Sequence, residues 1–390
     1  MSPVNSLTVL HVSQPVDGGV ARVVVDLVRA QVAAGYRVVV ACPDEGFLGA
    51  DARNAGAAVV NWPAVRSPWR ALGREAWALR GIVRQVGPDV LHLHSSKAGL
   101  AGRLAVRGGV PTVFQPHAWS FEATSGPLTD VVTRWERWAA RWTHRLVCVS
   151  EVERSRGLQR GVRAPYTVVR NGVDIGRFDP AVLPAPRDAR RKLGVRGEAR
   201  LVVCVGRLCR QKGQDLLLRA WPRVRAALPD AELALVGDGP DREELERQAE
   251  GLPGVRFAGA VPDPRDWYAA ADLVVQPSRW EGMALAPLEA MACARPVLLT
   301  DVPGARECLG ESELPLAVGD IVELASGISH MLADLDRCRR LGSQARARVA
   351  ERHRLSESCA AVARVYAELR RQLPVQGDPA RESLTNSSTV

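Results

Sequence analysis

The stretch "ADLVVQPSRWEGMALAPLEAMACARPVLLT", residues 271–300, points to the fold class of this chain. An apolar run at Leu273–Gln276 is followed by a loop, a helical pattern and a second apolar run at Pro296–Thr300. Pro287 suits the first turn of a helix, where its missing N–H costs nothing. Strands joined by a helix run parallel, and strands covered on both faces are continuous Val- and Leu-rich runs. The stretch therefore predicts a βαβ unit of a parallel sheet.

The same alternation of short apolar runs and helical patterns extends along most of the 390 residues. Seven runs in the first half predict strands, at Leu7–Val12, Arg37–Cys42, Val59–Trp62, Val90–His94, Thr112–Gln115, Arg145–Ser150 and Thr167–Arg170. After the proline-rich segment "FDPAVLPAPRDARRK" the pattern restarts at Leu201–Val205, Ala231–Val236, Val255–Phe257, Leu273–Gln276 and Pro296–Thr300. This organisation predicts the α/β class with two doubly wound, Rossmann-like domains.

We place the predicted domain boundaries where composition changes. Residues 1–180 form the first domain, 181–199 the linker and 200–355 the second domain, followed by a last helix at 356–373. Residues 374–390 are polar and rich in Ser, Thr, Pro and Gly, which predicts a disordered tail. A chain of this length exceeds the roughly 250–300 residues at which a single core stops growing.

Composition and charge exclude several classes of protein. No apolar run reaches the roughly 20 residues of a membrane span, and the N-terminus lacks the basic start of a signal peptide, so we expect a cytoplasmic protein. The eight cysteines show no C-x-x-C pairing, which favours reduced core thiols over zinc ligands. Residues 1–180 hold 22 of the 52 basic and 14 of the 43 acidic residues. The positive charge therefore belongs to the first half, but no DNA- or RNA-binding module accompanies it, so we expect no nucleic-acid partner.

Open α/β sheets bind ligands beyond the carboxyl ends of their strands. Gly18 and Gly19 follow the first strand, where glycine lets the backbone approach a ligand and a helix N-terminus offers free N–H groups to an anion. Arg207 and Lys212 follow the first strand of the second half, and Lys212 is one of three lysines in the chain. A planar fork and a point charge suit a phosphate group. The alternatives are a tight turn without ligand and two solvated charges.

Two carboxylates flank the start of the helix in the opening stretch. Glu281 lies in the loop after the strand and Glu289 in the first turns of the helix, with the amides of about 282–285 between them. Those amides suit an anion, whereas the carboxylates repel phosphate and suit hydroxyl groups on either side of it. A sugar, a diphosphate and a ribose present their groups in that order. The alternative is a solvated Glu281 and a Glu289 that only complements the helix dipole.

Loop residues of the first half complete the candidates. His117, in "VFQPHAWSFEA", follows a predicted strand and can contact a substrate, with a structural role as the alternative. His92 and His94 form an H-x-H pair, but no third ligand has a suitable spacing, so we interpret them as strand-end residues. Lys97 and Trp119 are candidate acceptor contacts. The D-x-D at 334–336 falls in a helical stretch, so we predict no metal site.

Together these motifs resemble glycosyltransferase family 4, whose members are retaining enzymes of the GT-B fold. The resemblance rests on Gly-Gly-Val after the first strand, "PHAWS", "VVRNGVDIGRF", "GRLCRQKG", "LVGDGP" and two glutamates eight residues apart, in the family's order and spacing. It covers nearly the whole chain to about residue 370. It implies two Rossmann-like domains facing each other across a cleft, with the final helix crossing back to the N-terminal domain.

The resemblance also implies a nucleotide-sugar co-substrate, a UDP- or GDP-sugar, with no bound cofactor and no metal. Arg207 and Lys212 correspond to the pyrophosphate clamp. Glu281 corresponds to the glutamate that contacts the donor sugar, and Glu289 to the one that binds the ribose. Front-face displacement is then expected: the clamp and backbone donors stabilise the leaving diphosphate, and its oxygen helps deprotonate the acceptor.

In the N-terminal domain, Gly19 corresponds to the glycine loop over the donor phosphate, and His117 to the loop histidine near the reaction centre. The expected catalytic residues are thus Arg207, Lys212, His117 and Glu281. The expected donor site consists of Gly18, Gly19, Gly206, Arg207, Lys212, Gly237, Gly259, Glu281, Gly282, Met283, Ala284, Leu285 and Glu289. The chain has Gly282-Met283-Ala284 where the family often has Gly-Phe-Gly, which leaves the approach of the backbone to the sugar open.

The acceptor is expected in the basic N-terminal half. The helix "DVVTRWERWAARWTHR", residues 130–145, places Trp135, Trp138 and Trp142 on one face and Arg134, Arg137, Arg141 and Arg145 along another. This pattern suits an anionic membrane or a lipid-linked diphosphate acceptor at the inner face of the membrane, and tryptophans packed on the sheet are the alternative. A lipid-linked or polysaccharide acceptor is our first interpretation. A soluble acceptor (an inositol phosphate or a natural-product aglycone) and a nucleotide-sugar epimerase of the same fold are the others.

Overall fold

The structure, a computed structural model, describes residues 7–65, 71–310 and 315–372. Within these residues it contains two parallel sheets with helices on both faces. The tail predicted at 374–390 lies outside the described residues.

The first sheet has seven strands among the described residues, in the order β3-β2-β1-β4-β5-β6-β7. These strands are β1 Thr8–Ser13, β2 Arg37–Cys42, β3 Ala58–Asn61, β4 Val90–His94, β5 Thr112–Gln115, β6 Arg145–Cys148 and β7 Tyr166–Val168. The second sheet has the order β10-β9-β8-β11-β12. It contains β8 Arg200–Val205, β9 Ala231–Val236, β10 Val255–Gly259, β11 Leu273–Gln276 and β12 Val297–Leu299. Each predicted strand is confirmed to within two residues at either end.

Fifteen α-helices connect and cover the strands in the described part of the chain. In the first half they are α1 Gly18–Ala33, α2 Leu48–Asn54, α3 Leu72–Val86, α4 Ser95–Val106, α5 Pro127–Ala139 and α6 Glu151–Gln159. The remaining helices are α7 Pro186–Leu193, α8 Gln214–Ala227, α9 Arg242–Gln248, α10 Arg265–Ala270, α11 Leu285–Ala292, α12 Ala305–Leu309, α13 Ile321–Ala333, α14 Leu335–Arg352 and α15 Leu355–Gln372.

The order of strands reverses once in each sheet. In the first sheet the reversal lies between β1 and β4, and in the second between β8 and β11. Loops leaving these neighbouring strands turn to opposite faces, which opens a crevice at the carboxyl edge. The crevices at these two places are where a ligand is expected.

Helix α15 returns to the first sheet after the second sheet is complete. Its side chains Val362, Val365 and Leu369 are buried in one cluster with Val9 of β1 and Val90 of β4. Burial of such a side chain contributes about 1.5–3 kcal/mol, so the apolar stripe is enough to hold the helix there. The predicted crossing of the last helix to the N-terminal domain is confirmed.

The segment predicted as a linker, 181–199, contains helix α7. Ala189 of this helix is buried, and Arg190 Nη2 donates to Asp272 Oδ2 at 2.6 Å, directly before β11. The segment therefore packs against the second sheet, while the exact division of the chain into domains stays a prediction.

All eight cysteines are free thiols, and seven of them are buried. Burial raises the pKa of the Cys42 thiol to about 11 and that of Cys204 to about 12, which makes both unreactive. The expectation of reduced core thiols agrees with this arrangement. Among the described helices, none is both long and apolar enough to cross a membrane.

Candidate active site

Lys212 and Glu281 form an ion pair at the point where strand order reverses in the second sheet. Lys212 follows β8 and Glu281 follows β11. Lys212 Nζ donates to Glu281 Oε1 at 2.6 Å, and the two side chains are 19% and 9% exposed. The reversal of strand order thus brings two predicted site residues, 69 positions apart, into one polar site.

Two further side chains hold the Glu281 carboxylate in place. Ser278 Oγ donates to Oε1 at 2.9 Å, and Gln211 Nε2 donates to Oε2 at 3.4 Å. Sequence reasoning missed both residues, although Gln211 precedes Lys212 and Ser278 lies two residues after the end of β11. Each carboxylate oxygen is therefore oriented before any ligand arrives.

Glycines form a tight backbone floor beside this pair. A Cβ on Gly237 would lie 2.0 Å from the Gly206 carbonyl oxygen, and Gly237 has a φ of +146°. The Gly237 N–H donates to the Gly259 carbonyl oxygen at 2.8 Å. A Cβ on Gly206 would lie 3.5 Å from Lys212 Cδ. The predicted glycines Gly206, Gly237 and Gly259, at the ends of β8, β9 and β10, thus lie side by side in one surface, and at Gly237 the close carbonyl leaves no room for a side chain.

Arg207 lies next to this floor with its side chain exposed. In the described part of the chain, its guanidinium makes no ion pair and no hydrogen bond, whereas its carbonyl oxygen accepts from Gln214 Nε2 at 3.1 Å. The backbone of Arg207 is therefore anchored while its side chain can reach an anion near Lys212.

Glu289 lies where the two halves of the chain meet. Tyr268 OH donates to Glu289 Oε2 at 2.8 Å. Burial raises the pKa of the Glu289 carboxyl, while the Tyr268 hydrogen bond and the charges of Arg22 and Arg177 act in the opposite direction. Arg22 belongs to α1 of the first sheet, so the carboxylate faces residues of both halves.

The loops of the two sheets contact each other across the cleft. A Cβ on Gly282 would lie 2.8 Å from the His117 carbonyl oxygen, and a Cβ on Gly19 would lie 3.9 Å from Leu285 Cδ1. The predicted residues of the N-terminal half, Gly19 and His117, therefore lie against the loop and helix that carry Glu281 and Glu289. Gly18, with φ +75°, begins α1.

The unusual triplet Gly282-Met283-Ala284 is anchored from the first half of the chain. Met283 is 4% exposed, and its carbonyl oxygen accepts from Asn171 Nδ2 at 2.7 Å. Ala284 is the residue before the first turn of α11. The methionine thus packs into the core, and the loop keeps the sharp entry into the helix that the two glutamates need.

His117 has a strained backbone and a neutral side chain. Its φ is +60° and that of Ala118 is +152°, two successive residues outside the region that side chains favour. Such strain concentrates at functional sites. Burial lowers the pKa of His117 to about 3, so its ring is neutral near pH 7. Its Nε2 lies 3.1 Å from His94 Nδ1.

His92 and His94 lie at the end of β4, as we interpreted them, but the expectation that no third ligand accompanies them is wrong. His11 of β1 lies beside both, with ring centroids 5.4 and 5.2 Å away, and one ring nitrogen of each histidine lies within 4.8 Å of the others. His11 precedes His94 by 83 residues, so a search by local spacing cannot find it. Parallel pairing of β1 with β4 brings the three together.

The two candidate acceptor residues lie in the interior. Lys97 Nζ lies 2.5 Å from Glu75 Oε2, and both side chains are almost completely buried. Trp119 is 1% exposed, and its Nε1–H donates to the Glu153 carbonyl oxygen at 2.7 Å. Neither side chain is presented to the cleft surface, so the geometry gives the acceptor role of both no support.

In helix α5 and the turn after it, the tryptophans and the arginines occupy separate faces only in part. Trp138 is 40% exposed and packs on Trp142, with ring centroids 4.2 Å apart. Leu128, Val131 and the side chains of Arg134, Arg137 and Arg141 are also exposed. Arg145, which we placed along the helix, instead begins β6 and pairs with Glu368 of α15 at 3.1 Å. The exposed surface of α5 is thus both basic and apolar.

Comparison with known proteins places the chain in a family. The profile described as Glycosyltransferase Family 4 matches residues 17–177, and the one described as Glycosyl transferases group 1 matches residues 199–334. The D-inositol 3-phosphate glycosyltransferase of Thermobispora bispora is 33% identical over 306 residues, covering 72% of this chain and 70% of that protein. The chain belongs to glycosyltransferase family 4.

A second relative is similar to this family 4 chain over part of its sequence. The Escherichia coli UDP-Gal:alpha-D-GlcNAc-diphosphoundecaprenol alpha-1,3-galactosyltransferase is 32% identical over 259 residues, 63% of this chain. The match spans 65% of the galactosyltransferase, just under two thirds of its length.

Solved structures agree with the fold. Anabaena Alr3699/HepE in complex with UDP and glucose superimposes with a TM-score of 0.80 at 22% identity, covering 93% of this chain and 100% of that one. The two facing parallel sheets and the returning helix are those of the GT-B fold, as the resemblance implied.

Proposed function

We propose that this chain is a retaining glycosyltransferase that moves a hexose-type sugar from a nucleoside-diphosphate donor to an acceptor hydroxyl. The observation that carries the proposal is the Lys212–Glu281 ion pair on the glycine floor, facing His117 and Gly19 across the cleft. This arrangement sets a cation and an exposed arginine beside a carboxylate already oriented for hydroxyl groups. Family membership adds independent support.

The donor would lie along the carboxyl edge of the second sheet. Lys212 and Arg207 would hold the diphosphate, and Glu281 would accept hydrogen bonds from sugar hydroxyls. Glu289 would accept from the ribose hydroxyls at the end of the cleft near Arg22. A bound diphosphate would then share Lys212 with Glu281, so the partly buried ammonium would stay paired with a negative charge when the donor binds.

The transfer step would use the leaving group as the base. The bond between the sugar C1 and the diphosphate oxygen breaks, and the acceptor oxygen bonds to C1 on the same face. The acceptor proton passes to the departing diphosphate, whose added charge Lys212, Arg207 and the amides before α11 stabilise. His117, neutral and strained, would contribute a hydrogen bond at the reaction centre and no charge.

A UDP-hexose and a lipid-linked acceptor are the first substrates we infer. The Escherichia coli relative is named for UDP-Gal and a diphosphoundecaprenol-linked acceptor, and the HepE structure holds UDP and glucose. The basic, apolar surface of α5 suits the anionic headgroup region where such an acceptor lies. The Thermobispora relative is named for an inositol phosphate acceptor, which keeps a soluble acceptor as the second candidate.

A donor screen tests the proposal. Purified protein would be incubated with UDP-glucose, UDP-galactose, UDP-N-acetylglucosamine or GDP-mannose, with and without a bacterial lipid extract. We expect acceptor-dependent release of nucleotide, incorporation of sugar into lipid, and an anomeric configuration unchanged from the donor, measured by NMR coupling constants. Nucleotide release that needs no acceptor would favour the epimerase, and no turnover with any donor would refute the proposal.

A further inference from the structure

A row of hydrogen-bonded side chains runs from the cleft into the first sheet. His117 Nε2 lies 3.1 Å from His94 Nδ1, and His94 Nε2 lies 2.9 Å from His11 Nδ1. His11 Nε2 then lies 2.8 Å from Gln31 Oε1 of α1. We call these four residues the histidine relay. Its inner members occupy β1 and β4, the two strands between which the order of the first sheet reverses.

The surroundings of the relay keep its rings neutral. His11 and His94 are completely buried, and burial lowers the pKa of His11 to about 4 and that of His94 well below its usual value. The charged form would be costly in such a site. Each ring near pH 7 therefore carries one N–H, on one of its two nitrogens.

Counting protons along the relay fixes where each one lies. The Gln31 oxygen can only accept, so His11 carries its proton on Nε2 and leaves Nδ1 free to accept. His94 then donates from Nε2 and accepts at Nδ1, where His117 donates from its own Nε2. This leaves His117 Nδ1 without a proton, as a hydrogen-bond acceptor. Rotating the Gln31 amide by half a turn would reverse every one of these assignments.

The Gln31 amide is itself oriented by the crossing helix. Gln31 Nε2 donates to Tyr366 OH of α15 at 3.5 Å, and a 2.6 Å hydrogen bond joins that hydroxyl to His92 Nδ1. If Tyr366 donates to His92, its oxygen accepts from the Gln31 amide, and Gln31 Oε1 then points to His11. Helix α15 thus supports the orientation on which the relay depends.

We propose that His94 is a positioning residue that, through His11 and Gln31, holds His117 in the Nε2–H tautomer with Nδ1 able to accept a hydrogen bond from a substrate hydroxyl. The inference about catalysis rests on the role of His117 under Proposed function, whereas the tautomer does not. Nothing in the local sequence relates these residues, which come from β4, β1, α1 and the loop after β5.

A metal ion between His11, His92 and His94 is the competing use of the same rings. Two nitrogens bound to one ion cannot share a proton, yet His11 Nδ1 and His94 Nε2 lie 2.9 Å apart, at hydrogen-bond distance. The relay accounts for this contact and for the two others along the row. The observed geometry therefore favours the relay.

NMR measures the tautomer without any substrate. The chain has seven histidines, so long-range nitrogen–proton spectra of protein labelled with ¹⁵N-histidine can be assigned by substitution. We expect His117 as the Nε2–H tautomer in the wild type. His94→Leu should convert it to a mixture of both tautomers, and His94→Asn, whose amide oxygen can replace Nδ1 as acceptor, should restore it. Gln31→Met should also give a mixture, although every ring stays in place.

Turnover tests the consequence for catalysis. We expect His94→Leu to lower kcat on the order of 10-fold, with the donor KM within about twofold, and His94→Asn to recover most of it. The matched control is His144→Leu, which removes a half-buried imidazole from the same half of the chain. The Nδ1 of His144 accepts from the Thr112 N–H, and among the described residues the ring bonds to no member of the relay. It should leave the His117 tautomer unchanged and kcat within about twofold. Melting temperatures of both variants show whether the two are equally destabilised.

Several results would overturn the inference. These are a wild-type His117 in the Nδ1–H tautomer, an unchanged tautomer in His94→Leu, or one equivalent of metal in purified protein that His92→Leu abolishes. If the tautomer responds as expected but His117→Ala keeps full turnover, the positioning stands and the proposed role of His117 fails. If His117→Ala abolishes turnover while His94→Leu does not alter it, the proposed role of His117 stands and the positioning by His94 fails.

Discussion

The two walls of the cleft are built from different chemistry. The edge of the second sheet has charged groups on a backbone floor: the Lys212–Glu281 pair, the exposed Arg207, and glycines packed so closely that a Cβ on Gly237 would lie 2.0 Å from a carbonyl oxygen. The edge of the first sheet has neutral, buried imidazoles joined in a row. Both edges lie where strand order reverses, so the fold alone does not explain the contrast.

This contrast shows how one fold can serve two kinds of ligand. A diphosphate needs cations and free amides, and glycine turns let it approach the backbone. A hydroxyl near a reaction centre needs donors and acceptors in fixed positions, which neutral rings provide without strong fields. The charged wall therefore suits the donor, and the neutral wall suits orientation of the reacting groups. The following predictions test that division.

The largest effect is expected on the charged wall. Lys212→Ala should lower turnover by about 10²–10³, because the developing charge on the diphosphate loses its point-charge partner. The matched control is Lys192→Ala, whose side chain is 70% exposed and pairs with Asp266 outside the site. Steady-state kinetics with a saturating donor measure both. Turnover of Lys212→Ala close to that of the control would remove the clamp from the proposal.

The glycine floor gives the next effect. Gly237→Ala should lower the free energy of unfolding by about 2–4 kcal/mol, since its φ of +146° disfavours a side chain and its Cβ would collide with the Gly206 carbonyl. Gly197→Ala, with no atom within 4 Å of the added Cβ, should change it by less than about 0.5 kcal/mol. Urea unfolding compares the two. Equal free energies of unfolding for Gly237→Ala and Gly197→Ala would show that the backbone around Gly237 can move to accommodate a methyl group.

The neutral wall predicts a dependence of stability on pH. His92 is buried, and burial lowers its pKa well below 6.5. Below pH 6.5 the unfolded chain therefore binds a proton at His92 that the folded chain does not bind. Stability should therefore be lost as pH falls through 6.5, by about 1.4 kcal/mol at pH 5.5 for this one histidine. The measurement is the free energy of unfolding of the wild type and of His92→Leu, each at pH 7.5 and at pH 5.5. The loss of stability between the two pH values should be larger in the wild type by about 1.4 kcal/mol.

Comparing variant with wild type removes the contributions of other groups from this measurement. Burial raises the pKa of Glu153 to about 8, which changes stability in the opposite sense between pH 4.5 and 8 and cancels in the difference. If the free energy of unfolding of His92→Leu depends on pH as that of the wild type does, His92 is protonated as readily in the folded protein as in the unfolded chain, and the prediction fails.

The smallest effect concerns the outer surface of the first half. Arg134→Ala should weaken binding to vesicles of phosphatidylglycerol by about 1 kcal/mol, roughly fivefold, if the exposed basic surface of α5 meets anionic headgroups. Arg191→Ala on α7, 80% exposed, is the control and should not change it. Vesicle sedimentation at low and high salt measures both. Equal binding of the two variants would exclude α5 as the contact.

Much of the architecture could be predicted because buried parallel strands produce continuous Val- and Leu-rich runs. The positions of Glu281 and Glu289 were predictable as well, since Pro287 marks the first turn of α11. The partners of these residues were not. Gln211, Ser278 and Tyr268 hold the two carboxylates, and only their proximity in space shows it. Lys97 illustrates the opposite error, because a lysine that suggested an acceptor contact is buried against Glu75.

The sequence by itself determined the alternation of strands and helices, the two carboxyl edges and the residue types available at each. That information is local: it depends on side-chain periodicity and on turn residues within one βαβ unit. Only the tertiary structure decided that His11 joins His94, that Lys212 meets Glu281, and that α15 returns to support Gln31. Those contacts depend on which strands become neighbours, a consequence of packing the whole chain, and no spacing within a motif encodes it.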